Sequence, residues 1–192
     1  MKMVGYPTKK VKHENKGLYL GNKGMSFEDE INQSNEYYLV HDKAVIHKKP
    51  TPVTVVKTES FGKRRVRINE AYYVQPSTTD YNGIYRGKYI DFEAKQIASK
   101  VSFPFAFIHA HQVKHLKAIV AHGGIGFVLL RFSHYQETYL IDAKDLVEKY
   151  EDSNCKSLTY IWVKENGIFI PTGYRPLLDY LKAVDAMYFK GE

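Results

Sequence analysis

One cysteine, Cys155, stands among 192 residues, so no disulfide can form within the chain. No apolar run approaches the roughly 18 residues that a bilayer-spanning helix requires. The opening Met1-Lys2-Met3-Val4-Gly5-Tyr6-Pro7 lacks the apolar stretch of a secretion signal, which predicts a protein of the reducing cytoplasm. No internal repeat or low-complexity segment is present, and no glycine-rich phosphate loop. Gly83 and Gly87 fall at turns, and Gly123, Gly124 and Gly126 are not followed by a helix opening on Lys-Ser/Thr. Acidic residues are missing altogether from 96–136, a stretch that holds Lys100, Lys114, Lys117 and Arg131 and so reads as a positive segment to which a phosphate backbone would be drawn. What is abundant is core material. Apolar residues make up 44%, with 16 Tyr and 10 Phe, which excludes disorder over most of the chain. The length fits one domain.

The net charge is +7, and its distribution is uneven: residues 1–69 hold 14 Lys/Arg against 7 Asp/Glu, whereas 70–192 hold 14 of each. A basic arm or face that meets a polyanion fits this asymmetry. A solvated surface with a basic tail fits it equally on charge alone.

Residues 1–24 mix Lys, Gly and Asn without an apolar period and read as a mobile basic arm ahead of a single domain over 25–192. Ser26-Phe27-Glu28-Asp29 carries a helix cap with a carboxylate three residues on, and Phe27, Ile31 and Tyr38 recur at helical spacing, so a helix is predicted over about 26–40. A short strand at 44–47 ends where Pro50 and Pro52 preclude a central ladder. Val53–Val56 and Val66–Val74 read as a hairpin whose tip, Phe61-Gly62-Lys63-Arg64-Arg65, is cationic. Lys88–Lys95 alternates with period two, with Asp91, Glu93 and Lys95 on one face and Ile90, Phe92 and Ala94 on the other. A helix near 109–122, apolar strands at 127–130 and 137–141, and helices near 143–151 and 176–189 complete an α/β plan. It is a mixed central sheet flanked by helices.

One constellation carries chemistry. An Asp followed by an acid two residues before a lysine on one strand face is the pattern of metal-dependent nucleases, here Asp80, Glu93 and Lys95. Two carboxylates with a few neutral oxygens suit Mg²⁺, which lowers the pKa of a bound water and neutralises phosphate charge. An adjacent ammonium stabilises the transition state. The triplet alone is weak, since Glu14-Asn15-Lys16 and Asp142-Ala143-Lys144 match it too. A surface strand with an ordinary ion pair, worth about 0–1 kcal/mol, explains the same spacing. His109, His111, His115 and His122 suggest zinc, but Gln112 follows His111 where a zinc peptidase helix has its general base, and no third ligand is evident. Cys155, in a polar stretch, shows no reason for activation as a nucleophile.

Longer motifs then occur in order: Asn22-Lys23-Gly24-Met25-Ser26-Phe27-Glu28, Ala44 to Pro52, Ser77-Thr78-Thr79-Asp80-Tyr81-Asn82-Gly83, Tyr89 to Lys95, and His109 to His115. Together they resemble the RecU family of Holliday junction resolvases, nucleases of the PD-(D/E)xK type. The resemblance runs over about 22–142 and more loosely through Pro176-Leu177-Leu178-Asp179-Tyr180-Leu181. It implies a restriction-endonuclease-like core with a protruding β-hairpin stalk at about 53–74. It also implies a homodimeric, Mg²⁺-dependent endonuclease, with Mn²⁺ as a substitute, that makes paired symmetric nicks in four-way DNA junctions and leaves 5′-phosphate ends. Such an enzyme serves recombination, repair and chromosome segregation, beside recombinase and branch-migration proteins. The resemblance places metal ligands on Thr78, Asp80, Glu93 and Gln112, the transition-state lysine on Lys95, an accessory acid on Glu28, and DNA contacts on Lys23, Lys63, Arg64, Arg65 and Arg67. Lys23 departs from the arginine expected there, and an ammonium gives no bidentate phosphate contact. Residues 150–175 depart as well. A junction-binding scaffold without turnover and a restriction-like nuclease on linear duplex DNA stay open as alternatives.

Overall fold

The computed structural model describes residues 25–60, 62, 65–74 and 78–190. The arm over 1–24, with Lys23, and the tip residues Lys63 and Arg64 lie outside the described residues.

The first helix, α1 (Phe27–Val40), starts where its sequence signal says: Ser26 Oγ accepts from Asp29 N at 3.1 Å, and the Asp29 carboxylate accepts from Ser26 N at 3.2 Å. That reciprocal cap satisfies two otherwise orphaned backbone donors. Phe27, Ile31, Ser34 and Tyr38 form its buried stripe. Strand β1 (Val45–Lys48) follows, then β2 (Val53–Ser60) and β3 (Val66–Tyr73), β4 (Tyr81–Tyr85), β5 (Lys88–Ile97) and β6 (Ser102–Pro104). Next come α2 (Ala110–Ala121), β7 (Ile125–Phe132), β8 (Glu137–Asp142) and α3 (Ala143–Glu151). The chain closes with β9 (Ser157–Thr159), α4 (Tyr160–Asn166), β10 (Ile168–Ile170) and α5 (Tyr180–Tyr188).

The main sheet has six strands in the order β1-β4-β5-β7-β8-β10. Only β5 and β7 are parallel, joined by the α2 crossover; the other four pairings are antiparallel. Helices α1 and α5 cover one face and α2, α3 and α4 the other, so the sheet divides two apolar cores. On the α1 side Tyr81, Phe92 and Phe127 stack across three strands, with ring centroids 4.8 and 4.7 Å apart. Such stacks add about 0.5–1.5 kcal/mol per pair beyond burial and fix the register of β4, β5 and β7.

Strands β2 and β3 pair with each other in a separate two-stranded sheet, bulged near Val55–Lys57, and every residue of both is exposed. Val74 N donates to Pro52 O at 3.0 Å and closes its base.

One segment left unassigned gains its elements, two expectations need correction, and one alternative falls. Residues 150–175 hold β9, α4 and β10, whose strands of 3 residues each are too short to show a period. The last helix begins at Tyr180 and not at Pro176, because Leu178 is held extended: its N–H donates to Ser34 Oγ at 3.0 Å and its carbonyl accepts from the Tyr38 hydroxyl at 3.0 Å. Arg131 contributes nothing to a basic surface. It is buried on the α1 side, donating to both oxygens of Glu30 at 2.8 and 2.6 Å and to Thr138 Oγ1 at 3.0 Å. Finally, β5 is no surface strand, since Asp91 and Glu93 are buried as completely as Ile90 and Phe92.

Candidate active site

Register brings the two predicted acids together. Tyr81 pairs with Phe92 across β4 and β5, so Asp80, one residue ahead of β4, arrives beside Glu93. Asp80 N donates to Glu93 Oε2 at 3.2 Å, and Ala94 N donates to Asp80 Oδ2 at 3.4 Å. Because side chains alternate along β5, Phe92 joins the aromatic stack while Asp91, Glu93 and Lys95 face α2.

Glu93 is 0% exposed. Its Oε1 lies 2.8 Å from Lys95 Nζ, but the angle forms no hydrogen bond, and this buried oxygen has no hydrogen-bond partner. The contact is therefore an ion pair by distance alone. Burial, and after it the Asp80 carboxylate, raise the Glu93 pKa from 4.5 to about 8; Lys95 opposes the rise. A buried carboxylate kept short of donors is costly unless a cation completes it.

The donor set fits a hard divalent cation: two carboxylates in contact, one just ahead of β4 and one on β5, the second with an oxygen that accepts no hydrogen bond. Among the described residues no three His, Cys, Asp or Glu side chains converge as a cage. Mg²⁺ asks for no such cage, being held by one or two carboxylates with waters and substrate phosphate completing its shell.

The remaining predicted residues are distributed as follows. Thr78, half-buried, makes only a long contact of 3.4 Å to Thr79 O. Gln112 is buried in the first turn of α2, its Oε1 accepting from His109 N at 3.0 Å. Glu28 pairs with Lys48 at the surface. Burial, and after it the charges of Glu28, Asp80, Asp29 and Glu93, raise the Tyr81 hydroxyl pKa, so Glu28 lies around the same tyrosine as the acids. Arg65 and Arg67 lie on the exposed hairpin, away from the acid pair in the sheet order.

The histidines of α2 diverge. His111 stacks on His109 with centroids 5.3 Å apart, and desolvation, His109 and Lys95 lower its pKa, which sets this turn beside Lys95. His115 turns to Asp91, its Nε2 lying 3.2 Å from Oδ2. The second match to the acid-x-Lys spacing, Asp142-Ala143-Lys144, is a helix cap: Asp142 Oδ1 accepts from Lys144 N at 2.8 Å. Cys155 Sγ donates to Ser157 O at 3.3 Å.

Asp91 carries a cluster that the sequence reading left without a role. Lys49 Nζ donates to Asp91 Oδ2 at 2.8 Å and to Thr79 Oγ1 at 2.9 Å, the Tyr89 hydroxyl donates to Oδ2 at 2.8 Å, and the Thr79 hydroxyl donates to Oδ1. Period two had already put Asp91 on the face of Glu93; the signal was a third acid on an inward face.

Known proteins are similar to this chain in sequence. The sequence model of the family described as Recombination protein U, RecU, matches residues 22–186. The chain belongs to the RecU family. A Holliday junction resolvase RecU of Bacillus thuringiensis (strain Al Hakam) and one of Bacillus cereus (strain G9842) are each 47% identical over 171 residues, covering 88% of this chain and 86% of theirs. The RecU match takes in the Asp80–Glu93–Lys95 site and all of the main sheet.

Proposed function

We propose that this chain is a Mg²⁺-dependent endonuclease that resolves Holliday junctions by paired symmetric nicks, acting in recombination, repair and chromosome segregation in the cytoplasm. The carrying observation is the contact between half-buried Asp80 and fully buried Glu93, whose Oε1 accepts no hydrogen bond and has the Lys95 ammonium 2.8 Å from it. Relatives at 47% identity carry the name Holliday junction resolvase RecU, which supports the choice of substrate.

Asp80 and Glu93, with neutral oxygens from Thr78 and Gln112, are the ligands in this reading, and Mn²⁺ can take the same place. When bound, Mg²⁺ neutralises charge on the scissile phosphate and acidifies a water for in-line attack, which yields 5′-phosphate and 3′-hydroxyl ends. Lys95 is only partly exposed and extends from the same strand face as Glu93. Once Glu93 is engaged elsewhere, its ammonium is available to the pentacoordinate phosphate, where a fixed charge in a poorly hydrated site acts strongly. Glu28 serves as an accessory acid by exchanging its exposed Lys48 partner.

The core is of the restriction-endonuclease type, and the exposed β2–β3 hairpin is its stalk, inserting into the junction with Lys63, Arg64, Arg65 and Arg67 toward phosphates. Lys23 and the basic arm add backbone contacts. A homodimer sets two sites on opposed strands, the geometry that a two-fold junction requires. Recombinase and branch-migration proteins are the proposed partners.

The test incubates the protein with a labelled four-way junction, a matched linear duplex and a Y-fork, each with Mg²⁺ or EDTA. Symmetric nicks near the junction centre, with Mg²⁺ only and absent in Asp80→Asn, are expected. Binding without nicks in any metal would make it a scaffold, and equal cutting of the duplex a general nuclease. Unchanged cleavage by Asp80→Asn would remove the assigned site.

A further inference from the structure

Three features outside the acid pair stand out by their chemistry: the groove lined by Phe169, Tyr174 and Arg175 at the β10 edge, the stacked His109 and His111, and the buried Asp91 cluster. The Asp91 cluster carries furthest. We infer that Asp91, acting through Thr79 and Lys49, is a positioning residue that holds the Asp80 segment in register for metal binding. This rests on the reading of Asp80 and Glu93 as the metal site.

Asp91 is fully buried and faces α2 on the same side of β5 as Glu93, two residues away. It is not a third ligand. A carboxylate has about four acceptor sites, and Asp91 already accepts from Lys49, Tyr89 and Thr79, with His115 Nε2 at 3.2 Å. A cation would have to displace one of these hydrogen-bond partners, whereas Glu93 Oε1 accepts no hydrogen bond and has only the Lys95 ammonium beside it.

What Asp91 holds is more telling. Thr79 stands between Thr78 and Asp80, and it is buried, with its hydroxyl fixed on Asp91 Oδ1. Lys49 grips the same segment twice: its N–H donates to Asp80 O at 2.7 Å, and its Nζ bridges Thr79 Oγ1 at 2.9 Å and Asp91 Oδ2 at 2.8 Å. The residue ahead of Asp80 is thus pinned by side chain and the Asp80 carbonyl by backbone. Without that brace, the β4–β5 register that ends at Tyr81 is supplemented at Asp80 itself only by the contact of its N–H to Glu93 and the long contact of Ala94 N to its carboxylate. Partners behind metal ligands that fix their orientation typically govern ~10–100-fold in metal affinity. Lys49 also precedes Pro50, where the chain departs for the β2–β3 hairpin, and Thr79 follows its return, so the brace fastens both feet of the hairpin to β5.

The test measures Mn²⁺ binding to the full-length protein alone by electron paramagnetic resonance, alongside single-turnover nicking of a four-way junction. Thr79→Val and Asp91→Asn are expected to weaken Mn²⁺ affinity ~10–100-fold and slow nicking, with junction binding changed by less than about 2-fold. Thr79→Ser, which keeps the hydroxyl, is expected to bind Mn²⁺ as the parent does. It also preserves the test if Asp91→Asn fails to fold. Unchanged Mn²⁺ affinity in Thr79→Val and Asp91→Asn overturns the inference, as does a Thr79→Ser variant as impaired as Thr79→Val. An Asp80→Asn control that binds Mn²⁺ normally overturns the metal-site reading itself, and so separates the two failures.

Discussion

Replacing Glu93 by glutamine should stabilise the metal-free protein at alkaline pH, against the usual outcome of altering a buried residue. Burial and Asp80 raise the folded-state pKa of Glu93 from 4.5 to about 8. Below the unfolded value the carboxyl is protonated in both states and costs nothing. Between the two values the unfolded chain gives up the proton and the folded chain keeps it, so stability falls as pH rises through that window. At about 1.4 kcal/mol per pH unit the full cost is on the order of 5 kcal/mol, reached above the folded pKa. The amide of Glu93→Gln would keep the acceptor for Asp80 N and carry no charge, although Lys95 loses its ion-pair partner, so the net gain is smaller, about 2–3 kcal/mol. Urea unfolding with EDTA at pH 5 and pH 8.5 measures it, and titrating groups remote from Glu93 cancel in the difference between parent and variant, leaving Glu93 with its neighbours Asp80 and Lys95. Parallel stability curves for the two proteins across that range would refute the reasoning. Mg²⁺ added at pH 8.5 should stabilise the parent and leave Glu93→Gln unmoved.

Other substitutions follow from contacts already described. Glu30→Ala should cost about 3–5 kcal/mol by leaving Arg131 charged and buried, and the Glu30→Ala/Arg131→Met pair should cost less than the sum of its single changes in urea unfolding. Gly83 is not the turn glycine its sequence suggests but lies inside β4 opposite Ile46, where a Cβ would lie 2.1 Å from Val45 O and 2.7 Å from Ile46 Cα. Gly83→Ala should therefore detach β1, lose on the order of 3 kcal/mol or more, and expose β1 amides to hydrogen exchange. Alanine at both Arg65 and Arg67 should reduce the log–log salt dependence of junction binding by about 2, at ~0.9 per phosphate contact; an unchanged slope would take the hairpin off the DNA.

How much of this was legible in the sequence depended on how local each signal is. The α1 cap spans four residues, Ser26 to Asp29, and was readable to the residue. The alternation along β5 was readable too, and with it the common face of Glu93 and Lys95. That alternation does not say how deeply either face is buried, because a polar face looks solvated until a helix is known to cover it. Arg131 was misjudged for the same reason: its partner Glu30 is 101 residues away, and formal charge is counted without partners. Lys49 and Asp91, 42 residues apart, are joined only by the order β1-β4-β5, which no spacing encodes.

The placement of the acids on β5 shows why such a site survives in a stable sheet. Glu93 is a net burden on the metal-free fold, being buried, raised in pKa and short of a donor. It does not set the register that holds it. Tyr81, Phe92 and Phe127 do so from the opposite face, in rings that are 0% exposed and independent of any charge. Because neighbours on one strand point to opposite faces, the residue that aligns β4 with β5 and the residue that must meet Asp80 are consecutive, Phe92 and Glu93. The apolar face thereby determines the geometry of the polar one. The brace from Asp91 then has only the Asp80 segment to hold, since the strand beneath it is already fixed.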